Sequence, residues 1–198
     1  MEDTMWTVSW RQNFSGDQPE DAEPGEEISV RRAFLWENAI YRIPAVYCCR
    51  EGLVIDVIRQ VEPEVEEAFL KKWGIIAVND WENNFSEEQW NQLCQEDPLR
   101  MQLRAFALAN GQQLTQETGS FISWNPCNDE ANSDAVRRVV EQYELDPAMG
   151  WSIQRMGFGW NGQELDLQKL SLTFIREMRA EDESVPPAIE VPLLEAAE

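Results

Sequence analysis

The stretch that decides the fold runs from Arg100 to Trp124: RMQLRAFALA, then Asn110-Gly111, then QQLTQETGSFISW. Asn-Gly accepts positive φ at both central positions of a two-residue turn, and the twist of that turn suits paired strands. Residues 100–109 and 112 onward therefore predict an antiparallel hairpin. Ser120–Trp124 reads as a further short strand.

Upstream the pattern repeats. Trp6, Val8 and Trp10 alternate with Thr7 and Ser9, as in a half-buried strand. Ile28, Val30, Phe34 and Trp36 share one face of the next. Ala39–Cys49 is apolar and β-prone, and Pro44 inside it requires an edge or a bulge, because proline donates nothing to a ladder. Arg50-Glu51-Gly52 turns the chain into Leu53–Val61, with Gly52 supplying positive φ.

Downstream, Trp151–Trp160 and Lys169–Arg176 are further strands, separated by a second Asn-Gly turn at Asn161-Gly162. Three short helices interrupt them. The first has Pro63 at its start, a stripe of Val65, Ala68, Phe69 and Trp73, and Gly74 as its stop. The second opens on Ser86 with Gln89 at capping-box spacing and ends at Asp97-Pro98. The third runs from Ser133 to Glu144.

The sum is an α+β, β-rich chain: an antiparallel sheet or β-sandwich of about eight strands decorated by about three short helices. Hairpin succession, rather than βαβ alternation, argues against a parallel doubly wound sheet. We expect one domain over residues 1–179, interrupted by an acidic loop at 16–27 and followed by a flexible acidic tail at 180–198. Arg32-Ala33-Phe34 with Asn38 repeats as Arg104-Ala105-Phe106 with Asn110. So short a match is within chance and does not establish a duplication.

The 198 residues carry 16 basic and 37 acidic side chains, a net charge of −21, and no histidine. Such a chain repels phosphate backbones and anionic lipid, so neither nucleic acid nor membrane is an expected partner. Residues 17–27 and 180–198 each hold six acids and no base. The excess therefore sits mainly in two segments, which counts against nucleic-acid mimicry. No run reaches the roughly 20 apolar residues of a membrane span, and the acidic start resembles no secretory signal. The expected location is cytoplasmic.

Histidine's absence removes Ser-His-Asp and Cys-His chemistry and imidazole zinc sites. Cys48, Cys49, Cys94 and Cys127 have no metal spacing and read as reduced thiols. No metal and no cofactor are expected. The string GFGWNG at 157–162 matches a dinucleotide glycine pattern, but Gln163–Arg176 alternates like a strand where a helix is required. Asp80, Glu82 and Asn84 open like a calcium loop, but Phe85 and Asn91 occupy its glycine and closing glutamate positions.

Two chemistries stay open. Carboxylate pairs hydrolyse glycosides without histidine. Asp56, inside the apolar run LVIDVI, is the foremost candidate, with Glu37 and Asp166 near strand ends. The competing reading puts Asp56 on a solvent face or against an arginine such as Arg42 or Arg59. Among nine tryptophans, Trp81 and Trp160, beside Asn161, are candidates for a sugar-stacking platform; the other seven read as core. We expect a non-enzymatic soluble binding or protein-interaction module, with a protein or glycan partner. The alternative is a carbohydrate-binding module or a carboxylate-pair glycoside hydrolase.

Overall fold

The structure, a computed structural model, describes residues 6–15, 22–75, 85–162, 166–176 and 188–191. The protein is α+β. Eight strands are β1 (Glu26–Trp36), β2 (Ala39–Cys48), β3 (Gly52–Val61), β4 (Leu103–Ala109), β5 (Gln112–Trp124), β6 (Gly150–Gly159), β7 (Leu170–Arg176) and β8 (Ala188–Val191). The helices are α1 (Pro63–Trp73), α2 (Glu87–Glu96) and α3 (Asp134–Gln142), with a 3-10 turn at Asp129–Ala131. The strands form a sheet in the order β1-β2-β3-β6-β5-β4-β7-β8. Two meanders, β1-β2-β3 and β4-β5-β6, thus enter the order in opposite senses, and the two Arg-Ala-Phe segments both fall in the first strand of a meander.

Several elements differ from the sequence expectation. Residues 6–15 form no strand and make only an isolated bridge, Ser9 with Pro24. Ser120–Trp124 continues β5 without a break. The acidic segment after residue 180 contributes β8, which pairs Leu170 with Val191 and Thr173 with Ala188. Loop residues 16–21 lie outside the described residues, and β1 already begins at Glu26.

Pro44 meets its requirement through a bulge. β1 pairs Ser29 with Ala45 and Arg32 with Ile43, so Val30 and Arg31 together oppose Pro44. Arg31 adopts φ 46° there. The extra residue removes the demand for the N–H that proline lacks. Gly52 is needed for space, not for positive φ. A Cβ there would strike the Phe158 carbonyl oxygen and the Trp10 ring.

The described chain divides into two compact units, one of Met1–Val57, Gln102–Ser120 and Gln154–Glu198, the other of Ile58–Met101 and Phe121–Ile153. In the first, Val8 and Trp10 join Ala45, Tyr47, Cys49 and Val54 in one buried cluster. Phe34 of β1 stacks on Tyr41 of β2 and on Phe174 of β7, with centroids 5.3 and 5.9 Å apart. β1 and β7 are distant in strand order, so the sheet of this unit curls round its aromatic core.

In the second unit α1 packs on α2 through Phe69, Ile75 and Leu93, with Leu70, Trp73 and Phe85 alongside. Gly74 at φ 67° closes α1, and Ser86 with Gln89 caps α2 reciprocally. The inward stripe of α1 is Glu66, Phe69, Leu70 and Trp73, rotated from the expected one, and Val65 is exposed. Trp90, expected in the core, is likewise exposed. Glu66 takes the buried place on this face, where the Asn125 amide donates to it.

Candidate functional site

β4 has its large residues outside. It buries Leu103, Ala105, Ala107 and Ala109 and exposes Arg104, Phe106 and Leu108. Three alanines face inward, with Ala105 opposite the buried Phe174 of β7. Phe106 is 48% exposed and Leu108 41%. On β7, Ile175 opposes Arg104, Thr173 opposes Phe106 and Ser171 opposes Leu108. Ile175 is also exposed, so the two strands present an apolar strip of Phe106, Leu108 and Ile175 interspersed with Arg104, Ser171 and Thr173.

Beside this strip β4 and β5 part. Their register covers Ala109–Gln112, Leu108–Gln113 and Ala107–Leu114 and goes no further. Beyond it, side-chain amides take over the ladder. The Gln116 Oε1 accepts from the Ala105 N–H at 3.3 Å. Gln154 of β6 accepts from the Leu103 N–H and donates to the Leu103 carbonyl, both at 2.8 Å, as a neighbouring strand would. The strands enclose a groove of about 510 Å³ lined by residues 104–106 and 113–119. Phe106 and Arg104 form one wall, Thr115, Glu117 and Gly119 the other. Glu117 pairs with Arg11 at 3.3 Å on the surface.

The candidate carboxylates do not assemble. Asp56 is wholly buried and accepts two hydrogen bonds from Arg155, at 2.8 Å to Nε and 2.7 Å to Nη2. Asp56 is thus paired with an arginine, as the competing reading held, and the arginine is Arg155. The Arg155 guanidinium lies 4.6 Å from the Phe14 ring centroid and 5.8 Å from that of Trp6. Such a carboxylate is committed to an ion pair and faces no solvent. Glu37 sits at φ 48° in the β1–β2 turn. Asp166 is exposed beside the β4–β5 turn, its carbonyl accepting from Asn110 and its carboxylate from Gln168.

Trp81 lies outside the described residues. Trp160 is buried, and its indole N–H donates to the Cys49 carbonyl at 2.8 Å, so its ring offers no platform to a sugar. Asn161 is exposed at φ 54° and donates to the Gln113 carbonyl at 3.3 Å. Among the described residues no cluster of acids or thiols is arranged to hold a metal ion, and no helix is long and apolar enough to cross a membrane.

One charged centre went unanticipated. Glu66 is 1% exposed, accepts from the Asn125 amide at 2.7 Å, and has no partner for Oε2. Burial, and then the Asp97 carboxylate, push it up to about 7 against the pull of Asn125. Asn125 in turn exchanges two 2.8 Å bonds with the Asn132 side chain and accepts from the Cys127 N–H. The Glu-rich start of α1 hides this residue, since glutamate there ordinarily serves the helix dipole. The groove was equally hidden, because glutamine amides replacing backbone leave no sequence signature. No protein-family model, curated protein or solved structure matches the chain.

Proposed function

We propose that the protein is a binding module that receives an extended polypeptide segment along the β4–β5 groove, with apolar side chains of the partner covering Phe106, Leu108 and Ile175. The observation that carries this reading is the reversal of β4, small side chains inward and large apolar ones outward. Leaving that strip in water has a free-energy cost, which a partner would recover. The groove supports an extended ligand in particular. β4 and β5 part beyond Ala107–Leu114, and the opening between them runs along the strands, so a partner segment lying there is extended and offers alternate side chains to its walls. The four cysteines are free thiols, which supports work in the reducing cytoplasm, and the acidic composition disfavours phosphate-rich partners.

The test is selection from a displayed library of random peptides, followed by amide chemical-shift mapping on the full chain. Selected peptides are expected to shift residues 104–106 and 113–119. Phe106→Ser with Leu108→Ser, both on the solvent face, should weaken them by tenfold or more, roughly the loss of one hot-spot residue. Footprints elsewhere, or affinity unchanged in the double variant, overturn the proposal.

A further inference from the structure

We propose that Asn161-Gly162 is a site of spontaneous deamidation in this protein, and that Asn110-Gly111, the same dipeptide in the same backbone conformation, is held out of that reaction by its hydrogen bonds. The two turns are otherwise matched. Asn110 and Asn161 have φ of 51° and 54°, and the following glycines 84° and 78°. Among the described residues nothing lies within 4 Å of the Cβ position of either glycine, so neither glycine is crowded on that side. Both asparagines are exposed.

The reaction is intramolecular. The Gly162 nitrogen attacks the Asn161 Cγ, a C–N bond forms, the bond to Nδ2 breaks, and ammonia leaves with the glycine proton. Water then opens the succinimide to aspartate or isoaspartate, and nothing is oxidised or reduced. Rate depends on how often the carboxamide swings into near-attack geometry over the next nitrogen.

At position 110 that swing is blocked. The Asn110 Oδ1 accepts from the Gln168 and Lys169 N–H groups at 2.8 and 2.9 Å, and Nδ2 donates to the Asp166 carbonyl at 2.7 Å. At position 161, among the described residues, one bond holds the amide, Nδ2 to the Gln113 carbonyl at 3.3 Å, near the limit for a hydrogen bond. Two additional bonds, and shorter ones, should slow Asn110 by roughly tenfold or more relative to Asn161. The modification has a local consequence, because Gln113 lines the β4–β5 groove. Conversion replaces an N–H donor by a carboxylate that repels the Gln113 carbonyl, and the isoaspartyl form lengthens the main chain after β6.

The full-length protein is incubated at mildly alkaline pH, folded and in concentrated urea, and sampled over days by peptide mapping. Isoaspartyl methyltransferase labelling identifies the rearranged product. In urea the two dipeptides should convert at comparable rates. In the folded protein Asn161 should convert at least about tenfold faster than Asn110, the difference set by the released amide population. Asn161→Gln should abolish the folded-state signal. Equal rates in the folded protein, faster conversion of Asn110, or no conversion at Asn161 while the urea control proceeds each overturn the proposal.

Discussion

Arg155 holds Asp56 side-on through one edge of its guanidinium, Nε at 2.8 Å and Nη2 at 2.7 Å, with side chains only 4% and 0% exposed. Removing one member leaves the other as an uncompensated buried charge. Arg155→Met or Asp56→Leu should each lose about 3–5 kcal/mol of stability. The double replacement should recover most of that, since well-packed apolar residues often equal a buried pair. Urea denaturation of the four proteins checks this. Additive losses would mean that the pair is not coupled.

Glu66 gives stability a pH dependence with a defined sign. Its folded-state value of about 7 lies above the ordinary 4.5, so the folded protein holds a proton that the unfolded chain has released. Stability should therefore fall as pH rises from about 4.5 through about 7, and level off above. Asp97, raised mainly by its own burial, contributes in the same direction at lower pH. Glu66→Gln keeps the acceptor for Asn125 and removes the charge. It should flatten most of the slope and add about 2–3 kcal/mol at pH near 8. Thermal melts across pH 5–8 measure it; an unchanged slope contradicts the assignment.

Gln154 acts as a piece of backbone. Gln154→Leu fits the buried site in size but orphans the N–H and carbonyl of Leu103. The expected loss is about 2–4 kcal/mol, two unsatisfied main-chain groups. Hydrogen exchange should locate the change at Leu103, and protection retained at that amide would refute the role.

Two glycines separate rigid from yielding obstruction. Gly52→Ala would drive Cβ into the Phe158 carbonyl and the Trp10 ring, while Gly159→Ala meets only the end of the Glu117 side chain. Gly52→Ala should cost roughly 2–3 kcal/mol through overpacking. Gly159→Ala should cost no more than about 1 kcal/mol, the worth of the Arg11–Glu117 surface pair it disturbs. Comparing their denaturant midpoints decides it.

Features written in adjacent residues were legible in the sequence. Asn110-Gly111 marked a turn because the dipeptide alone satisfies the φ requirement, and Ser86 with Gln89 marked a cap for similar reasons. Pro44 demanded a bulge, which formed in the facing strand. Features that depend on distant partners were not legible. Asp56 could be read as a solvent-face acid, a catalytic acid or one member of an arginine pair, and which arginine was hidden because Arg155 lies 99 residues away. α1 was rotated about its axis because nothing local reveals that Asn125 waits for Glu66. β4 exposes Phe106 and Leu108 because alternation alone does not tell which face of a strand turns inward. Such a strand exposes what composition alone assigns to the interior.

The bulge at Val30 and Arg31 bears on self-association. β1 ends the strand order, and an 11-residue strand at an edge is a template onto which another chain can polymerise. Arg31 in the left-handed region interrupts the regular row of donors and acceptors, and Arg31 and Arg32 add two exposed like charges that stacked copies would have to bring together. The proline that forces the irregularity lies inside the sheet on β2. A half-buried residue one strand in from the edge thereby keeps the outer rim from seeding fibres.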